Sequence, residues 1–185
     1  MTDSVPGRAR SRAVLLLVAA MFLGSFGVAA VLFFGGWKPS HTRNVGEMLQ
    51  PYPDLREVAL QRADGTAWEW EPLDRHWHIV VAPPADCGAP CASLLDALHR
   101  VWVSEGRHAE KVEVLWFGDV PAGAAGFPGL VPMRPSDALQ QRLPDVATAD
   151  ALPVYLVDPN GYVVLRYPPG FNPSGLRKDL GRVVK

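Results

Sequence analysis

The chain lacks any excess of positive charge: 18 Lys and Arg stand against 19 Asp and Glu, for a formal net charge of -1. Without a basic excess or stripe there is no electrostatic footprint for nucleic acid. It lacks internal repeats, heptads and low-complexity tracts, so nothing points to a solenoid or a coiled coil. No P-loop, GxGxxG, metalloprotease or nucleophile-elbow pattern occurs, which leaves a hydrolase or nucleotide-dependent enzyme without support. Cysteine is scarce too. The 185 residues hold two, Cys87 and Cys91, within the stretch ADCGAPCASLLDALHR.

What is present is ordinary for one folded domain plus a membrane segment: 48% hydrophobic and 20% charged residues. The run Ala13–Gly35 is 23 residues long and carries no charge. As a helix it would extend roughly 35 Å, enough for a hydrocarbon core of about 30 Å. The apolar run outlasts that of a cleaved signal peptide, and more apolar sequence (VLFFGGW) follows the small pair Ala29-Ala30. The expectation is a retained single-pass anchor at 13–35 behind a cytoplasmic N-terminus at 1–12. Arg8, Arg10 and Arg12 precede the span, against Lys38 and Arg43 after it, which puts the following residues on the outer side. For a bacterial inner membrane that side is the periplasm, an oxidising space.

Residues 36–53 read as a proline-punctuated linker and 54–185 as the outer domain. REVALQRADGTAWEWEPL reads as a hairpin turning at Asp64-Gly65. HWHIVVAP is a strand stopped by Pro83-Pro84. Leu94, Leu95, Leu98, Val101 and Trp102 recur at helical spacing and predict an amphipathic helix over Gly88–Ser104. EKVEVLWFGD is the next strand, and VPAGAAGFPGLVPMRP, rich in Gly and Pro, is expected to be a long loop. SDALQQRL reads as a short helix. LPVYLVDPNGYVVLRYP reads as two strands joined through Asn160-Gly161. The last helix starts at Asn172 and Pro173, a capping residue followed by a first-turn proline. This order implies an α/β domain, a mixed sheet flanked by helices.

Cys87 and Cys91 lie on the stripe that continues through 94/95, 98 and 102, with Cys87 at the helix tip and Cys91 one turn in. A thiol at a helix N-terminus meets unpaired N–H groups and the positive end of the dipole, which favour thiolate. Helical i,i+4 spacing puts the Cα atoms roughly 6 Å apart, within disulfide range. The same spacing lets two thiolates converge on a soft ion such as Cu(I). A plain structural disulfide is the third option, although so small a ring constrains the unfolded chain little. Geometry alone leaves all three open.

The strand into a cysteine loop at a helix start, the hairpin and the terminal helix together resemble the thioredoxin fold. With DCGAPC, YLVDPNGYVVLRY and the N-terminal anchor, the chain most resembles the Sco/SenC and redoxin-like proteins of cytochrome oxidase assembly. NVGEMLQPYPDL with HWHIVVAPPADCGAPC also looks like small transmembrane proteins associated with that process. The resemblance implies Cu(I) on Cys87 and Cys91, or thiol–disulfide chemistry on the same pair that keeps partner cysteines reduced, or a non-catalytic assembly scaffold, with a respiratory oxidase subunit or copper chaperone as partner. Sco proteins add a histidine just before the strand matching YLVDP. Here that stretch is ATADALPVYLVDP, with Pro153 where thiol oxidoreductases of the fold carry a cis-proline. The third ligand is therefore not carried over.

Other candidates are weaker. His76 and His78 alternate on one strand and share a face, expected at the surface or half-buried. His99 flanks the helix stripe, and His108 sits in the following turn. Met133 is a soft donor in the expected loop. Asp86 would raise the Cys87 thiol's pKa or cap the helix, and Asp158 reads as a turn residue.

Overall fold

A computed structural model of the chain describes residues 7–36, 43–124, 126–146 and 152–184. It divides into two units, Met1–Arg43 and Asn44–Lys185.

The first unit is one helix, α1 (Gly7–Phe34). Its stretch Ser11–Phe34 has a mean hydropathy of 2.5 and is long and apolar enough to cross a membrane. Leu15, Leu17, Phe22, Phe26 and Phe33 are all exposed, so the helix is apolar all round and keeps no stripe for a protein core. This is consistent with a single-pass membrane protein.

The second unit is built on six strands in the order β1-β8-β7-β4-β5-β6. They are β1 (Glu47–Met48), β4 (Trp77–Val81), β5 (Val112–Phe117), β6 (Leu130–Met133), β7 (Val154–Val157) and β8 (Val163–Tyr167). β4 pairs with β5 and β5 with β6 in parallel, whereas the β4–β7, β7–β8 and β8–β1 pairs are antiparallel. A separate two-stranded ribbon, β2 (Leu60–Gln61) and β3 (Ala67–Trp68), carries the Asp64-Gly65 turn. The parallel β4–β5 step needs a crossover, and α2 (Gly88–Ser104) supplies it.

Alternation along the strands sorts the core. Ile79 and Val81 face Cys91, Leu95 and Leu98 of α2 and Leu176 and Leu180 of α4 (Pro173–Val183). Val80 and Ala82 face Leu55, Trp68 and Tyr155, together with Leu139 of α3 (Asp137–Arg142). The terminal helix begins as its sequence implies: Asn172 Oδ1 accepts from the Ser174 N–H at 2.9 Å, with Pro173 in the first turn. The hairpin at Asn160-Gly161 likewise forms, with Asp158 accepting from the Asn160 and Tyr162 amides. The mixed sheet flanked by helices is a thioredoxin-like fold.

Two expectations are corrected. The Gly- and Pro-rich stretch after β5 is not loop throughout, because Leu130–Met133 forms β6. Pro132 is tolerated on this edge strand, where its carbonyl accepts from Ala63 N–H at 2.9 Å and no N–H is called for. The expected linker over 36–53 also contains β1, and its Val45 and Gly46 are held by a buried carboxylate. Asp179 accepts from Val45 N–H at 2.8 Å, Gly46 N–H at 2.9 Å and Tyr167 O–H at 2.9 Å, and pairs with Arg182 at 2.8 Å.

Candidate functional site

β4 runs out through Pro83-Pro84 into a short loop, and Cys87 ends that loop as the residue before α2. No side chain caps this helix: Cys87 makes no capping bond, and Asp86 does not fill the role. The first-turn N–H groups are thus left without a side-chain acceptor, the setting that stabilises an anion beside them. Gly88 has φ +54°, left-handed backbone that costs any other residue, and this lets the chain turn into the helix straight after the thiol.

Cys87 is half-buried and Cys91 is buried against Ile79, Val81 and Leu95. Their sulfurs are joined in a disulfide with the Cα atoms 5.5 Å apart. The outer sulfur therefore sits near solvent and the inner one in the core.

The disulfide lies in a groove of about 780 Å³. One wall is the β4–α2 loop, another the start of the β5–β6 connection (118–122), and Pro135 and Gln140 complete it. The lining is chiefly proline, alanine and Phe117. β4 and β5 both deliver their carboxyl ends here, where open α/β sheets place their ligand crevices. Trp116, fully buried, donates its indole N–H to the Asp119 carbonyl at 3.0 Å and fixes the second wall.

Neither histidine nor methionine lines this groove among the described residues. His78, expected near the surface, is 3% exposed because Trp68 and Trp70 close over it edge-on, with ring centroids 5.3 and 5.0 Å away. Its Nε2 lies 3.4 Å from Glu113 Oε2, and its Nδ1 has no partner. The hydrogen bond with His78 holds the Glu113 carboxyl below the usual carboxylate range, against the opposing effect of burial. His76 lines the same polar hollow. His99 stacks on Phe127 at 4.6 Å, His108 accepts from Arg107 Nε at 3.1 Å, and Met133 is buried in β6. None of them joins the sulfurs.

Pro153 is buried immediately before β7. The sole cis peptide bond among the described residues precedes Pro51, so the Leu152–Pro153 bond is trans. The resemblance to cis-proline oxidoreductases does not extend to this residue's geometry. Among the described residues no group of three or more His, Cys, Asp or Glu side chains is arranged to hold a metal ion. Among the described residues the soft donors at this site are the two cysteines alone, a pair that would suit two-coordinate Cu(I) once reduced.

Sequence reasoning missed Asp119 and Gln140 as groove residues. Asp119 had a signal, since it follows directly on the end of a parallel strand. Gln140 had none, because a long-range fold of the chain brings it there.

No curated protein matches the chain. Solved structures do. BsSco, described as a member of the Sco family of cytochrome c oxidase assembly proteins with a disulfide switch, is 14% identical. It aligns over 76% of this chain and 97% of its own, with a TM-score of 0.55. Apo Sco1 of Thermus thermophilus is 16% identical over 79% of this chain and 99% of its own, with a TM-score of 0.54. Yeast Sco1 with copper bound is 15% identical over 77% and 93%, with a TM-score of 0.50. At such identities the likeness is one of fold, and it agrees with the Sco/SenC resemblance in the sequence. The family described as transmembrane-like, thioredoxin-like, C-terminal domain matches residues 77–185, more than half of the chain. The chain belongs to that family.

Proposed function

We propose that this protein is a membrane-anchored accessory factor for cytochrome oxidase assembly, with its domain in the periplasm, that exchanges disulfides with partner cysteines. The observation that carries the reading is the Cys87–Cys91 disulfide at an uncapped helix head, opening on a mostly apolar groove that no histidine lines among the described residues. In the reduced state the Cys87 thiolate, nearer solvent, attacks one sulfur of a partner disulfide, and the partner's other sulfur leaves as thiolate. Cys91 then gives up its proton and attacks Cys87 Sγ. The mixed disulfide breaks, the partner departs as a dithiol, and Cys87–Cys91 is oxidised by the same two electrons. A dithiol protein on the outer side must restore the reduced pair. The fold neighbours named for oxidase assembly support the assignment to that process.

A second reading is Cu(I) delivery by the reduced pair, with a third ligand supplied by the partner. It is favoured by the shared face of the two thiols and by the copper-bound fold neighbour. One experiment separates the two. Full-length protein in detergent is reduced, then offered a peptide disulfide and, in parallel, Cu(I) in competition with a chelator. Exchange lost in Cys87→Ser, with a trapped mixed disulfide in Cys91→Ser, upholds the exchange reading. Tight one-to-one Cu(I) binding lost in both variants, without exchange, replaces it with the copper reading.

A further inference from the structure

We propose that the groove selects partner segments that carry a positive charge beside their cysteine. This rests on the exchange reading above and names its substrate class. Asp119 is the one charged residue lining the groove. Asp86, exposed, does not line it but lies in the β4–α2 loop between the lining residues Ala85 and Cys87, directly before the attacking thiol. Neither side chain has a hydrogen bond or ion pair among the described residues, and no Lys or Arg lines the groove. Asp119 is held at the rim from below: the Trp116 indole binds its carbonyl, and Gly118 N–H donates to the Met133 carbonyl at 3.0 Å.

The walls offer little else to discriminate with. Pro83, Pro84, Pro121 and Pro135 have no N–H with which to bind an extended segment's carbonyls. Discrimination by charge is left to the carboxylates of Asp119 and Asp86, since apolar contact, the backbone N–H groups at the head of α2 and the Gln140 amide carry no net charge. A Lys or Arg near the partner's cysteine is drawn to them, and an Asp or Glu there is repelled.

The test uses reduced full-length protein in an uncharged detergent. Its substrates are three peptide disulfides, identical except for Lys, Gln or Glu next to the cysteine. Because each peptide's own reactivity cancels, the quantity to compare is the Lys-to-Glu rate quotient in the native protein against that in Asp86→Asn/Asp119→Asn. The native quotient is expected to be about three- to tenfold larger at low salt, with the excess fading at about 0.5 M NaCl. Asp119→Lys is expected to reverse the preference. Exchange that proceeds with the same quotient in all three proteins overturns the charge selection and leaves the exchange reading standing. Absence of exchange with every peptide overturns both.

Discussion

Strand β4 has two unlike hollows at its two ends. At its start His78 and Glu113 face each other under a lid of Trp68 and Trp70, with Glu71, Asp74 and His76 nearby. At its far end Cys87 and Cys91 open on proline and alanine. The imidazoles His76 and His78 and a larger set of carboxylates are collected at the end where there is no sulfur. The sulfur end is mostly apolar, with Asp119 the one charged residue lining it among the described residues. A metal ion that required imidazole or carboxylate ligands beside the two thiolates would need these two sets together. Their separation favours chemistry that needs two sulfurs and nothing else.

The comparison can be broken most decisively at the sulfur end. Cys87→Ser is expected to reduce exchange to the rate of the uncatalysed peptide reaction, with stability nearly unchanged because a five-residue ring constrains the unfolded chain little. Rapid quench and denaturant titration would read the two effects. At the other end the balance is reversed. His78→Ala leaves Glu113 unpaired and a void beneath two indoles, and is expected to cost about 2–4 kcal/mol of stability. Exchange rate and Cu(I) affinity should be untouched. A measured change in either would mean that the two ends communicate.

Smaller effects sharpen the contrast. The His78 hydrogen bond lowers the folded-state pKa of Glu113 below its unfolded value. Its contribution to stability is thus present above the usual carboxylate pKa and is lost as pH falls through the folded value. Glu113→Gln should flatten the acid limb of the stability curve, read by tryptophan fluorescence, and leave exchange unaltered. The smallest effect concerns Tyr155, a phenol whose pKa burial pushes up from 10.0 to about 12. Being raised, it contributes stability that is full below its unfolded pKa and disappears as pH climbs toward the folded one. Tyr155→Phe should remove that alkaline loss and cost about 1 kcal/mol at neutral pH, since the hydroxyl bonds the Pro144 carbonyl.

Much of this fold is written locally in the sequence. Helix α2 is legible from the spacing of its leucines, the β7–β8 turn from Asn160-Gly161, and α4 from Asn172 with Pro173, because each depends on periodicity or on turn chemistry within a few residues. The cysteine pair and its helix-head position were legible for the same reason. β6 was not, because Pro132 argues against a strand until the neighbouring edge and the β2–β3 ribbon are in place. β1 is two residues long and owes its position to β8. The burial of His78 was equally hidden, since the two tryptophans that cover it come from a ribbon whose docking no local pattern announces. Asp119 marks the boundary between these cases: its place at the end of a strand is local, but its role depends on the wall across the groove.

Asp179 ties down Val45 and Gly46 at the first residues of the second unit, through a carboxylate that is itself fixed by Tyr167 and Arg182. A side chain at Gly175 would strike Val45, and one at Gly46 would strike Tyr167, so the seat admits no bulk on either side. Considered as a mechanical joint, this is where a tug on the chain before Asn44 enters the fold. The strain passes first into one carboxylate and the terminal helix, ahead of the two-residue β1 ladder. Asp179→Ala, at about 3–5 kcal/mol the largest stability loss expected of any variant named here, would turn that fixed joint into a loose cord. The end of the domain that receives Val45 and Gly46 would then be the first part to give way, with both thiols intact.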